Sequence, residues 1–232
     1  MAPDTKSALE KYQNKPFFGS SHSWAIEIAE KLPKNSPVLD IGCGSAPIGL
    51  ALKERGFTEL YAVEVDEAAK DNAKEIYKTV TNNLETFGNQ KFKLILLLDV
   101  IEHLPNPELF LRAVEKFIAP DGMILISVPN VAHWSVRIPL FFGFFNYTDR
   151  AILDRTHLHF FTRRSLIKLL NKFPDLFIEQ TGATIEPAEF LLPRPIWDNE
   201  FFKGISKFRL IVANLLPGLM AYQHVVVVKK RL

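Results

Sequence analysis

The stretch that most limits how this chain can fold is Val38-Leu39-Asp40-Ile41-Gly42-Cys43-Gly44-Ser45-Ala46-Pro47. Val38, Leu39 and Ile41 supply the apolar, partly β-branched run of a strand covered on both faces. Gly42 and Gly44 leave the backbone bare at the strand's carboxyl end, so a ligand can approach closely. Pro47 suits the first turn of a following helix, where a missing N–H costs nothing. Strand, glycine turn and helix in this order open an α/β sheet, and ligands bind at that end of its first strand.

The departures from the dinucleotide fingerprint G-x-G-x-x-G/A indicate which ligand to expect. Pro47 stands where the third glycine would be, and Asp40 places a carboxylate two residues before Gly42. A carboxylate there repels a pyrophosphate and favours a cation or an ammonium group. Asp40-x-Gly42-x-Gly44-x-Ala46 resembles the first motif of the class I S-adenosylmethionine-dependent methyltransferases, an acid followed by G-x-G-x-G, with Ala46 at the last glycine. S-adenosylmethionine carries both a sulfonium and an α-ammonium. A second resemblance is Asp99, Val100, Glu102, His103 and Pro107, which match the D-V-x-E-H-x-x-x-P run that many small-molecule members carry after strand four. Asp154 to Thr162 resembles a segment of the members near ubiquinone and methionine-related biosynthesis and of those found with cell-surface glycan synthesis.

Glu64 ends the apolar run Leu60-Tyr61-Ala62-Val63, about 20 residues past the glycine turn, the spacing at which an acid binds ribose hydroxyls. Its alternative is a solvated charge at a strand end. Asp66 fits the cap of the next helix, read over Glu67 to Tyr77. Thr79-Val80-Thr81 is a short third strand, and the usual third helix is expected to be reduced. Phe92 to Leu98 is a near-continuous apolar fourth strand. A helix over Pro107 to Phe117, a tight turn at Pro120-Asp121-Gly122, and a fifth strand over Met123 to Val128 follow. Helix Arg163 to Phe173, strand Leu176 to Thr181 and strand Tyr222 to Lys230 complete the pattern.

The resemblance implies a seven-stranded, mostly parallel, doubly wound Rossmann-like sheet with an antiparallel last strand, as one domain over residues 1–232. Residues 1–36 would be a helical lead-in, and 131–162 and 183–217 lid or accessory segments. The cofactor implied is S-adenosyl-L-methionine, held by Asp40, Gly42, Cys43, Gly44, Glu64, Val65, Asn83, Leu84, Leu98, Asp99 and Val100. Asn83 stands where the family often has an acid that accepts from the adenine amino group; an amide oxygen can also accept. If the methyl acceptor is a hydroxyl, a base takes its proton near the moment of attack. Histidine suits that task near neutrality. His157, His103 and His159 are the candidates, with His133 in the same region; the alternation of His157 and His159 would put them on one side of an extended strand. A metal role for His157 and His159 lacks an evident third ligand, so no metal is assigned. Cys43 reads as a small buried residue rather than a nucleophile.

The chain has 232 residues, 47% hydrophobic and 23% charged, enough for one α/β domain with additions. A net charge of +2 gives no case for nucleic acid. One cysteine excludes an internal disulfide, and the polar start, Met1 to Gln13, lacks a secretory core, so the expected compartment is cytoplasmic. Many of the 19 phenylalanines follow Val131, with Trp134, Phe141, Phe142, Phe144, Phe145 and Tyr147 in one run. That run is either a small accessory core or a substrate lid with an apolar inner side. The stripe over Phe208 to Leu216, with Lys203, Lys207 and Arg209 nearby, is either core-facing or a peripheral membrane contact. These features suggest a small-molecule or lipid-like acceptor. Two other readings remain: a dehydrogenase-like dinucleotide binder, and a non-catalytic module that keeps the donor fold.

Overall fold

A computed structural model describes residues 18–187 and 199–231. The start of the lead-in and the part of the second accessory segment that contains Trp197 lie outside the described residues. Seven strands form one sheet: β1 (Val38–Ile41), β2 (Leu60–Val63), β3 (Thr79–Thr81), β4 (Phe92–Leu98), β5 (Ile118–Pro129), β6 (Leu176–Ala183) and β7 (Gln223–Lys230). Their order is β3-β2-β1-β4-β5-β7-β6. Strand β7 runs antiparallel between β5 and β6, and the pairs among β1 to β5 are parallel. The expected class, a mostly parallel doubly wound sheet with an antiparallel last strand, is the one observed.

The helices are α1 (Ser21–Ala29), α2 (Pro47–Glu54), α3 (Glu67–Ala73), α4 (Pro107–Glu115), α5 (Trp134–Phe141), α6 (Arg163–Leu170), α7 (Glu200–Leu215) and α8 (Pro217–Met220). The third crossover is reduced to a 3₁₀ turn, Leu84–Phe87. Helix starts follow capping chemistry. Asp66 accepts from Ala69 N at the start of α3, and Thr162 forms a capping box with Ser165 at the start of α6. Pro47 occupies the first turn of α2.

Alternation along the strands divides the core into two layers. Leu94 and Leu96 of β4 pack with α1 and α2 through Ala25, Ile28, Ile48 and Leu52. Ile95 and Leu97 face the other side, against Leu111 and Val114 of α4 and Leu166 and Leu170 of α6. Because β4 is covered on both faces, it reads as an unbroken apolar run rather than an alternating one.

Two boundaries that differ from the sequence reading have a clear physical cause. Helix α3 stops at Ala73, and Tyr77 turns into the core beneath α2, where it fills the space that the missing side chain of Gly49 leaves. Strand β5 begins at Ile118, and the expected turn is a bulge within it: Ile118 pairs with Phe92, whereas Met123, five residues on, pairs with Leu94, only two residues on. A Cβ at Gly122 would lie 2.6 Å from the Phe92 carbonyl oxygen, so glycine is required in that bulge. The aromatic run after Val131 does not pack as a small accessory core. Phe141 is 85% exposed, and Phe142, Phe144 and Tyr147 also lie open to solvent.

Candidate active site

Strand order reverses between β1 and β4, and in a sheet of this kind the crevice lies at the carboxyl ends of these two strands. The turn after β1 alternates left-handed residues, with φ of +73° at Gly42, +53° at Gly44 and +61° at Ala46. Glycine is favoured at all three, which explains the spacing of the motif and makes Ala46 its one strained member. Gly42 N donates to Val63 O at 2.8 Å and Ala46 N to Cys43 O at 2.9 Å, which closes the turn. A Cβ at Gly42 would lie 2.8 Å from Val100 Cγ2, so this glycine also admits the loop after β4.

Glu64 links the first two strand ends. Its Oε2 accepts from Gly44 N at 2.7 Å, and its Oε1 accepts from Val65 N at 2.8 Å and Asp66 N at 2.9 Å. A carboxylate has about four acceptor positions, so one remains for a hydroxyl. Val65, next to it, is 77% exposed and offers an apolar surface at the crevice. Asn83 Oδ1 caps the 3₁₀ turn through Glu85 N at 2.9 Å, and Leu84 beside it is buried.

Asp40 does not open into the crevice. It is 5% exposed beneath the turn, where the Tyr77 hydroxyl donates to its Oδ2 at 2.5 Å. Burial raises its carboxyl to about 6, against the lowering effect of the Tyr77 bond, and Glu64 adds to the rise. The carboxylate therefore acts on the crevice from below rather than as an open contact for a cation. Cys43 is buried; desolvation, then Asp40 and Glu64, push its thiol well up, which fits a packing residue and not a nucleophile.

The loop after β4 is held across the sheet. Asp99 has φ of +57° and directly follows Leu98, the end of β4. Its Oδ1 accepts from Ser127 Oγ at 2.9 Å, and its two carboxylate oxygens accept from Gln223 Nε2 at 2.7 and 2.5 Å. Ser127 and Gln223 are partners that sequence reasoning missed, because neither spacing nor residue type marks an amide 124 residues away.

Beyond Val100 lies the 3₁₀ turn Ile101–His103. Ligating atoms of Glu102, His103 and His157 all lie within 4.8 Å of one another. Glu102 is 1% exposed, and neither carboxylate oxygen has a hydrogen-bond partner among the described residues. Burial, then the Asp99 charge, raise its carboxyl well above the usual range. His157 is pushed down by burial and then by His103, which favours its neutral form.

The structure separates His159 from this cluster. Residues 157–159 are not a strand; their backbone turns, with both Leu158 N and His159 N donating to Glu102 O, at 2.9 and 3.0 Å. His157 stacks edge-on against His103 at 4.7 Å, whereas His159 Nε2 reaches Pro105 O at 3.3 Å in a pocket shared with Asn106 and Phe161. The expected shared side is therefore not observed. His133 is fully buried, with Nε2 2.9 Å from Glu186 Oε1, and it joins α5 to Glu186 along with Trp134.

With this geometry in place, the methyltransferase domain family matches residues 21–173. The chain belongs to that family. A methyltransferase from Rickettsia akari named ubiquinone biosynthesis O-methyltransferase is 31% identical over 193 residues, 78% of this chain and 76% of that protein. The protein of the same name from Bartonella tribocorum is 28% identical over 163 residues, 66% of this chain and 65% of its own length. The chain spans less than two thirds of several such methyltransferases, and 44% of the one from Neisseria meningitidis. Among solved structures, magnesium protoporphyrin IX methyltransferase from Synechocystis PCC 6803, with bound SAH, superposes with a TM-score of 0.60 at 14% identity, covering 91% of this chain and 82% of that one. The plantazolicin methyltransferase BpumL in complex with SAH gives 0.60 at 19% identity, covering 99% and 91%. These structures share the methyltransferase fold seen here.

Proposed function

We propose that this chain is an S-adenosylmethionine-dependent methyltransferase that acts on a hydroxyl of a small-molecule or lipid-like acceptor. The observation that carries the reading is the left-handed glycine turn braced by Glu64 at the sheet's reversal point, in a chain of this family. In it Gly42, Cys43 and Gly44 leave backbone for the donor to approach. Glu64 offers its remaining acceptor position to a ribose hydroxyl, and Val65, Leu84, Leu98 and Val100 surround the adenosine. Asn83 retains its amide N–H groups and a second lone pair for the base. Asp99 orients the loop that faces the methyl group, and Asp40 supports the turn from beneath.

Methyl transfer from a sulfonium is an in-line displacement, so the protein mainly positions donor and acceptor. The sulfonium carries its own activation and becomes a neutral thioether. The acceptor hydroxyl must lose a proton, and Glu102, His103 and His157 are the titratable groups grouped at the acceptor side. Phe160 stacks on His157 at 6.2 Å and on Phe145 at 5.9 Å, which supports an apolar or aromatic acceptor. The name of the relatives, ubiquinone biosynthesis O-methyltransferase, supports oxygen as the methylated atom.

Exposed Phe201, Phe208, Ile211 and Leu215 on α7, with Lys203 and Lys207 on the same helix, support a peripheral apolar contact through which a lipid-like acceptor arrives. No described helix is long and apolar enough to cross a membrane. A cytoplasmic site of action is the reading that a single buried cysteine supports.

The test is transfer of isotopically labelled methyl from S-adenosylmethionine to a panel of phenols, catechols and amphiphilic alcohols. Labelled ether product that disappears in Gly44→Val is expected. Tight donor binding with no product from any acceptor would instead favour a non-catalytic module.

A further inference from the structure

We propose that the hydroxyl of Tyr222 donates a hydrogen bond to an uncharged oxygen of the methyl acceptor, a second oxygen beside the one that is methylated. The inference deepens the methyl-transfer reading and rests on it.

The first observation is position. Tyr222 directly precedes β7, whose antiparallel course brings its first residue, Gln223, beside Pro129 at the carboxyl end of β5. Tyr222 O accepts from Asn130 N at 3.0 Å, and Tyr222 N donates to Thr184 O at 3.0 Å. The residue therefore stands at the crevice end of the sheet, between the segments that follow β5 and β6. Its neighbour Gln223 reaches Asp99, in the loop after β4.

The second observation is a rigid seat for its ring. The ring meets His133 edge-on, with centroids 5.8 Å apart and planes at 86°. His133 is fully buried. Ser135 N donates to its Nδ1 at 3.3 Å, so the proton sits on Nε2, which lies 2.9 Å from Glu186 Oε1. Glu186 Oε1 also accepts from Trp134 Nε1 at 3.0 Å. Arg209 Nη2 donates to Glu186 Oε2 at 2.7 Å and to its carbonyl oxygen at 2.8 Å. One carboxylate thus fixes α5, α7 and the chain after β6, and with them the imidazole against which Tyr222 packs.

The third observation is that the fold leaves the hydroxyl unused. Tyr222 is partly exposed, and among the described residues its hydroxyl has no hydrogen-bond partner and is not sealed from solvent. A tyrosine hydroxyl in a largely covered place ordinarily finds a partner. Pockets orient their ligands with a few placed polar groups of this kind. Burial first, then the charges of Asp99 and Glu186, push the phenol up to about 12, so near neutrality it is a donor and not the base.

The same charges select the oxygen it meets. Asp99 is bonded by Ser127 and Gln223, both neutral, and Arg209 is engaged by Glu186. A carboxylate or phosphate on the acceptor would face like charge here, whereas a hydroxyl, ether or carbonyl oxygen would not.

The experiment is calorimetric titration of the SAH-loaded chain with 4-hexylcatechol, 4-hexylphenol and 4-hexyl-2-hydroxybenzoate, in the parent and in Tyr222→Phe. The variant keeps the ring against His133 and loses only the hydroxyl. It should bind the catechol about fivefold to tenfold more weakly, the contribution of one neutral hydrogen bond. It should bind SAH, and the phenol that lacks a second oxygen, as the parent does. The hydroxybenzoate should bind the parent at least about tenfold more weakly than the catechol. Equal weakening of catechol and phenol, which a packing role alone would give, or unchanged catechol affinity in Tyr222→Phe, overturns the inference. So does a parent chain that binds SAH but not the catechol, or that prefers the carboxylate. A folded chain that binds no SAH sinks the reading beneath it.

Discussion

Replacing Tyr77 with phenylalanine isolates the buried carboxylate beneath the glycine turn. The Tyr77 hydroxyl donates to Asp40 Oδ2 at 2.5 Å, and both side chains are buried. Burial already raises the Asp40 carboxyl to about 6, and the Tyr77 bond holds it below where burial alone would leave it. An acid whose folded pKa exceeds its unfolded value of 3.8 binds more protons folded than unfolded, so it lowers stability as pH rises from about 4 to about 6. Without the hydroxyl, the cost of ionising Asp40 grows. A neutral hydrogen bond contributes about 1 kcal/mol and one to a charged group about 2 to 3 kcal/mol. The difference moves the Asp40 pKa in the variant up by about one unit, from about 6 to about 7. Tyr77→Phe should therefore cost about 1 kcal/mol near pH 5, where Asp40 is mostly protonated in both chains, and about 2 to 3 kcal/mol near pH 8.5. Urea unfolding of ligand-free protein across this range measures both values, and the same substitution in an Asp40→Asn background should show no pH dependence. A destabilisation by Tyr77→Phe that is constant with pH, or smaller at the alkaline end, refutes the charged bond.

Further expectations concern the crevice and the sheet. Glu64→Gln removes the charge that accepts from Gly44, Val65 and Asp66 N–H groups and should weaken SAH by about tenfold or more, read by calorimetry, since each charge-assisted bond contributes about 1.5 to 3 kcal/mol. Ala46→Gly should leave stability within about 1 kcal/mol, as relief of the left-handed backbone at φ of +61° offsets a lost buried methyl, whereas Ala46→Val should cost about 2 kcal/mol or more by denaturant titration. His224 is buried, and burial, then Arg163, lower its pKa to about 4. A depressed histidine leaves stability intact above its unfolded value of 6.5 and removes it as pH falls toward 4, so His224→Gln should suppress about 3 kcal/mol of acid destabilisation over that window.

The parts of this protein that follow from local chemistry were legible in its sequence. Glycine spacing at 42 and 44 marked the turn because left-handed backbone selects glycine, and Asp66, Thr162 and Pro47 marked helix starts because of the free N–H groups there. The apolar run of β4 was visible because both of its faces are covered. Less legible was whatever depends on a distant partner. Asp40 reads as a guard of the crevice until Tyr77 is seen to hold it below. Asp99 meets Ser127 because β5 pairs with β4, and it gains Gln223 only because β7 inserts beside β5. His157 and His159 share a period of two, but the chain between them turns back onto the Glu102 carbonyl instead of extending, so only His157 meets His103. The phenylalanines after Val131 left open an accessory core or a lid because composition carries no direction; the run is exposed and is not a packed core.

The central claim is that the glycine turn and Glu64 hold a sulfonium donor and not a pair of phosphates. Calorimetric titration of the purified chain with S-adenosylhomocysteine, and separately with NADH, tests it most directly. Saturable uptake of one S-adenosylhomocysteine per chain, weakened in Glu64→Gln and absent for NADH, is the expected result. No heat with S-adenosylhomocysteine from folded protein, or saturable binding of NADH in its place, would contradict it.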